Sequence, residues 1–201
     1  MSTAPGTVKT AYDATVLVVA FVALNLLAQR LGALKASRAL DAYAALPVPP
    51  SAVVLGTAAS YAVFTVPGAV LTAVVGALLY GLPLGHLWVL APVLLLAGAS
   101  LAGLGALLGL LMPRPELATV AGQLGMSVVL FLGIVPPDRL PDLLLPLRAV
   151  VPSTYAVDAL ARALAVDVEW ALVARDLGIT AAVALAALAL GGRAFRRAVS
   201  R

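Results

Sequence analysis

AYAALPVPPSAVVLGTAASYAVFTVPGAVLTAVVGALLYGLPLGHLWVLAPVLLLAGASLAGLGALLGLLMP, residues 42–113, contains no Asp, Glu, Lys or Arg over seventy-two positions, and its one imidazole is His86. No soluble domain leaves so long a stretch uncharged. A crossing of the hydrocarbon core takes about 20 apolar residues, so the run holds two crossings joined by a short turn. Pro67 and Gly68, part-way through the first of them, predict a kink. The chemistry of this chain is therefore membrane chemistry.

The rest of the chain agrees. It is 63% hydrophobic and 11% charged, with a mean hydropathy of +1.08, far from a globular average. The 201 residues make one membrane domain of all-α class, residues 1–201. There is no cysteine, so disulfides and thiolate metal sites are excluded. No basic cluster supports nucleic-acid binding. Residues 1–13 lack the basic region and small-residue cleavage site of a signal peptide.

Five crossings can be placed, over about 14–34, 52–80, 87–111, 117–135 and 177–192. Arg30, Lys35, Arg38, Arg114, Arg193, Arg196, Arg197 and Arg201 fall on one side with Asp41 and Glu116, a net of +6. Lys9, Arg139, Arg148, Arg162 and Arg175 fall on the other with seven acids, a net of −2. The positive-inside rule makes the first side cytoplasmic, with the N-terminus outside and the C-terminus inside. Tyr12, Tyr80, Trp88 and Trp170 then sit at outer span ends, where amphipathic rings prefer to be.

Two segments do not span. Residues 36–47 read as a short amphipathic helix along the inner interface: Leu40, Tyr43, Ala44 and Pro47 recur at helical spacing, with Arg38 and Asp41 facing away. Pro47, Pro49 and Pro50 stop it. A plain interfacial connector accounts for the pattern equally well. The outer segment, 136–166, is too long for an ordinary loop. Pro136, Pro137, Pro141, Pro146 and Pro152 cut it into pieces. Ser153 is placed as an N-cap, and Val157, Leu160, Ala161 and Leu164 share one helical face. Asp158 and Arg162, at i,i+4, are spaced to pair. The expected form is two short helices folded back at the outer surface; a structured loop is the plainer reading.

Several chemistries lack their residues. The phosphate-binding G-x-x-x-x-G-K-[ST] loop needs a glycine before its lysine, and the only lysines follow Val8 and Leu34. A lone histidine excludes H-E-x-x-H, and His86 reads as a solvated interfacial residue. No carboxylate lies at mid-membrane to couple protons or ions. Gly105 and Gly109 form a small-xxx-small pattern, read as internal packing rather than a dimer seam.

The two non-spanning segments, in this order among these spans, resemble the ABC transporter type-2 permease family. Arg38-Ala39-Leu40-Asp41-Ala42-Tyr43-Ala44-Ala45-Leu46-Pro47-Val48 is similar to the family's GTLERLLATPV element. Pro136-Pro137-Asp138-Arg139-Leu140-Pro141, then Val151-Pro152-Ser153-Thr154-Tyr155-Ala156-Val157-Asp158-Ala159-Leu160, resembles its FP…LP…xPxTYxVDAL pattern. The resemblance implies that Arg38, Leu40, Asp41, Tyr43, Leu46 and Pro47 belong to a coupling helix that receives a cytoplasmic ATP-binding subunit. It implies that Pro136, Pro137, Leu140, Pro141, Pro152, Thr154, Tyr155 and Asp158 build re-entrant extracellular helices.

The activity so implied is export of a lipophilic or drug-like substrate across the bacterial inner membrane. The chain would be a non-enzymatic subunit without cofactor, paired with a second permease subunit and surrounded by the lipid bilayer. Two features depart from the family. Its usual first span has no counterpart, and Gln29-Arg30-Leu31-Gly32 lacks the acidic residue common ahead of the coupling helix. A non-transporting assembly partner or remnant permease is the alternative, and an integral membrane enzyme, without a catalytic constellation, comes third.

Overall fold

The computed structural model describes residues 21–44, 47–80, 84–134, 141, 151–163 and 168–199. Among these, every regular element is a helix. A π-turn over Phe21–Leu26 leads into α1, Leu27–Ala36; α2 is Leu40–Ala44 and α3 Pro50–Tyr80. A 3-10 turn, Leu84–Val89, opens α4, Leu90–Leu111. Then come α5, Pro115–Ile134, α6, Pro152–Ala163, and α7, Trp170–Val199.

Residues 85–111, 115–132 and 170–198 are each long and apolar enough to cross a membrane, and α3 adds a fourth if counted as one bent span. The bend in α3 is 50°, between Ala52–Val63 and Thr65–Leu79. Pro67 explains its place, because the ring removes the hydrogen bond to the carbonyl four residues back, at Val63. The expected first crossing is described only from 21 onward; its part over 14–20 lies outside the described residues.

The helix α4 is central, packed by α1, α3, α5, α6 and α7. Small residues make this possible. Ala97, Ser100, Ala102, Gly103, Gly105, Ala106 and Gly109 are all buried along it. A Cβ on Gly103 would lie 2.6 Å from the carbonyl carbon of Ala187 in α7, and one on Gly109 would meet the backbone oxygen of Ala28 in α1. In lipid, helix association depends on close backbone approach rather than apolar transfer. The Gly105–Gly109 pattern thus packs within the chain, as expected.

Large apolar side chains instead point outward: Val63, Leu71, Leu78 and Leu79 on α3, Leu95 on α4, Leu124 and Phe131 on α5, and Leu185 on α7 are exposed. This inverted surface suits hydrocarbon contact. The hydroxyls inside the helices bond locally. Thr57, Ser60, Thr65, Thr72, Thr119, Ser127 and Thr180 each donate to a carbonyl four residues back.

Two elements differ in extent from the sequence reading. The interfacial helix does not run from 36 to 47. The first helix continues through Ala36, a turn covers 37–39, and α2 spans only Leu40–Ala44. The last helix begins at Trp170 instead of 177 and continues to Val199, because its first turns pack against α6 rather than ending at the hydrocarbon edge. The segment expected to fold back, 136–166, is described only at Pro141 and 151–163, with one helix over Pro152–Ala163; the part expected to hold the second helix, with Pro136, Pro137 and Leu140, lies outside the described residues.

Candidate functional site

Two groups of side chains stand at opposite ends of the helices. At the end of α1 the chain turns through Arg38, whose φ of 57° lies in the left-handed region. A non-glycine residue there costs roughly 1–2 kcal/mol. Three bonds hold the turn: Ser37 N–H to the Ala33 carbonyl (3.0 Å), Arg38 N–H to that of Lys35 (3.2 Å), and the Ser37 hydroxyl to that of Leu34 (3.2 Å).

The reversal drops Leu40 into the core, where it is 2% exposed in a cluster with Leu31, Val54, Leu110 and Phe195. Lys35 fixes the same elbow from another side. Its ammonium donates to the carbonyls of Leu110 (2.7 Å) and Met112 (2.9 Å), at the C-terminus of α4. A cation is doubly favourable there, satisfying orphan carbonyls and facing the negative end of the helix dipole. This lysine had been counted in sequence only as a basic residue. Its role depends on a partner 75 positions away.

The coupling residues expected from sequence therefore divide. Arg38, Tyr43 and Pro47 are exposed, with Val48 and Pro49 beside them. Leu40 is an anchor. Asp41 lies in α2 with its side chain outside the described residues, as is the whole of Leu46. A cleft of about 610 Å³ opens beside the elbow, between Arg30 and Leu34 of α1, Tyr43 of α2, and Ala52 to Tyr61 of α3.

At the far end, α6 packs on α7 and α4. Pro152 takes the first helical position, where a missing N–H is harmless and its fixed φ is already helical. The Val151 carbonyl receives both the N–H (3.3 Å) and the hydroxyl (2.7 Å) of Thr154. Ser153 lies inside the helix with its hydroxyl buried and without a hydrogen-bond partner, so it is not the N-cap expected. Tyr155 and Asp158 are half-buried on the same helix, each with a partner.

Asp176 is the residue that sequence reading missed. It is 1% exposed, and its Oδ1 accepts from Arg175 Nε (3.2 Å) and Nη2 (3.0 Å). Arg162 Nε lies 3.2 Å from Oδ2, as an ion pair without the alignment of a hydrogen bond. Arg162 thus reaches across to α7, rather than only along its own helix to Asp158.

Beside it the rings of Trp88 and Trp170 stack at 5.7 Å, and His86 meets Trp170 edge-on at 5.4 Å. His86 is half-buried, and its Nδ1 is buried without a hydrogen-bond partner. Among the described residues no cluster of His, Asp or Glu is arranged to hold a metal.

The Arg162–Asp176 contact fastens α6 to α7, and a double-mutant cycle of Arg162→Met with Asp176→Asn will measure it. The expected coupling is about 1–3 kcal/mol in thermal or denaturant unfolding, below a fully buried pair because Arg162 is partly exposed. Additive effects of the two substitutions would contradict the contact.

With this geometry in place, the comparison with known families is decisive. The model described as ABC-2 family transporter protein matches residues 2–193. The chain belongs to this family. No curated protein and no solved structure matches it. An ABC-2 chain is a membrane transport subunit and not itself catalytic; the family normally works with an ATP-binding subunit.

Proposed function

We propose that this ABC-2 chain is the transmembrane permease subunit of an exporter that moves a lipophilic or drug-like substrate, driven by a separate ATP-hydrolysing subunit. The single observation that carries the coupling role is the elbow: Arg38, Tyr43 and Pro47 are exposed on a backbone clamped by Leu40 and Lys35. A push on such a surface moves α1, α4 and α7 instead of being lost in a loop. Its anchor Leu40 clusters with Phe195 of α7, and the other end of α7 carries Asp176, which holds α6. Along α7 Phe195 and Asp176 are nineteen positions apart (195 − 176), about 28 Å at 1.5 Å per residue.

Two such domains would form the pathway, with the exposed apolar faces meeting lipid or the second subunit. Among the described residues the hydroxyls bond locally, and the buried carboxylate, Asp176, lies near one end of α7 beside Arg175 and Arg162; both favour a lipophilic route over an ion-driven one. Co-expression with a candidate ATP-binding subunit tests the proposal. Stable co-purification, and ATP hydrolysis that depends on this chain, are expected. A subunit that hydrolyses ATP equally well alone and is never recovered with the chain would leave a non-transporting membrane protein.

The proposed topology has five spans, with the N-terminus outside and the elbow in the cytoplasm. The native chain has no cysteine, so single cysteines report cleanly. A cysteine at Ser37 should resist an impermeant maleimide applied from outside, and one at Glu169 should react. The opposite pattern would invert the orientation.

A further inference from the structure

We infer that the cleft beside the elbow is a binding site for an anionic amphiphile, with Arg30 receiving its acidic head. The inference deepens the permease reading by naming a substrate class, and it rests on that reading for its cytoplasmic-leaflet location. Three observations carry it.

The cleft, about 610 Å³, has the size of a small-molecule site. Its walls combine aliphatic Leu34, Val48, Ala52 and Val53 with the hydroxyls of Thr57 and Ser60 and, among the described residues, one charged side chain, Arg30. No hydrogen bond or ion pair among the described residues engages Arg30, although a guanidinium carries five donors and matches phosphate or carboxylate oxygens two at a time. Tyr43 and Tyr61, also on the lining, bring phenols that can donate to the same head. One fixed positive charge above an apolar wall selects one acidic group and one alkyl chain.

The position gives binding a consequence. The cleft is walled by α1, by Tyr43 of the coupling helix and by the first half of the bent helix α3, so an occupant touches both the element that receives the ATPase and the one that bends. The plain reading of Arg30, a basic side chain reaching from a helix end toward the headgroups, predicts no such pocket preference.

The test uses the full chain in phosphatidylcholine nanodiscs, with radiolabelled dodecyl phosphate as probe, an uncharged dodecyl polyoxyethylene ether as comparator, and empty nanodiscs as background. Wild type should bind the phosphate more tightly by about tenfold or more, the equilibrium equivalent of a charge-assisted hydrogen bond. Arg30→Gln should remove that preference.

Gly56→Phe should abolish binding of both probes. Gly56 lines the cleft and a Cβ there meets nothing within 4 Å, so the ring can fill the space without moving backbone. Gly68→Phe, with the same open surroundings further along α3, should bind as wild type.

Equal binding of the two probes by wild type, or an unchanged preference in Arg30→Gln, would overturn the site. Phosphatidylglycerol added to the bilayer separates the sources: competition identifies a resident lipid, and its absence a free amphiphile. Recovery of the ATP-binding subunit is read in parallel. Lost binding with intact recovery sinks this inference alone, whereas lost recovery sinks the permease reading.

Discussion

Gly103→Ala should destabilise the protein by roughly 1–3 kcal/mol or more, the cost of overpacking at a contact that cannot relax. The new Cβ would sit 2.6 Å from the Ala187 carbonyl carbon and 2.8 Å from both Ala187 Cβ and Leu188 N. These are largely backbone atoms of a packed helix, so no flexible side-chain end can swing away. The helices α4 and α7 would have to separate at their crossing, where Gly191 also lies 3.3 Å from the Gly103 oxygen by the same measure.

Gly178→Ala supplies the contrast. A Cβ there meets nothing within 4 Å, and the better helix former should be neutral or stabilising by up to about 1 kcal/mol. Thermal unfolding followed by circular dichroism in one detergent compares the two. Equal melting temperatures would mean that α4 and α7 do not cross at Gly103.

How far the fold was legible follows from which signals are local. The uncharged run 42–113 dictates apolar helices without reference to anything else in the chain. Pro67 bends the helix it interrupts, and the Gly105–Gly109 pattern packs inward on a helix whose Leu95 faces out. What sequence periodicity could not supply was long-range partnership. Arg162 has an acidic residue at i−4, yet its ion pair is with Asp176, fourteen positions on, because α6 folds back against α7. Ser153 has the side chain of an N-cap, but Pro152 itself opens the helix and carries Ser153 inside it.

The elbow shows the same limit. Residues 36–47 have helical spacing, and nothing local announces a left-handed arginine. That conformation pays where Leu40 reaches a pocket built from α1, α3, α4 and α7. That Trp88 and Trp170 both stand at helix ends could be read from sequence, whereas their mutual stacking is a property of the fold.

Charge reversal at Arg38 should lower recovery of the ATP-binding subunit by about tenfold or more, if one charge-assisted contact is lost and a repulsive one replaces it. The position itself demands a control. Arg38 has a φ of 57°, so charge and backbone preference have to be varied separately. Arg38→Gly removes the charge while relieving the left-handed strain, and Arg38→Glu reverses the charge without that relief. If the surface charge matters, both lose the partner, Glu more than Gly, while thermal stability rises in Arg38→Gly and stays near wild type in Arg38→Glu. If only the turn matters, Arg38→Gly should recover as much ATPase as wild type or more.

Leu40→Ala makes a third arm. It empties a buried site and should cost about 2–5 kcal/mol of stability whether or not any partner docks, so it cannot serve as evidence for docking. Tyr43→Ala, at an exposed position, should spare stability and reduce recovery. Unchanged recovery in Arg38→Glu and Tyr43→Ala together would make the elbow a connector. Loss in both, with melting temperatures intact in Tyr43→Ala, separates a docking surface from a structural one, because only contact with a second protein makes an exposed side chain matter without changing the fold.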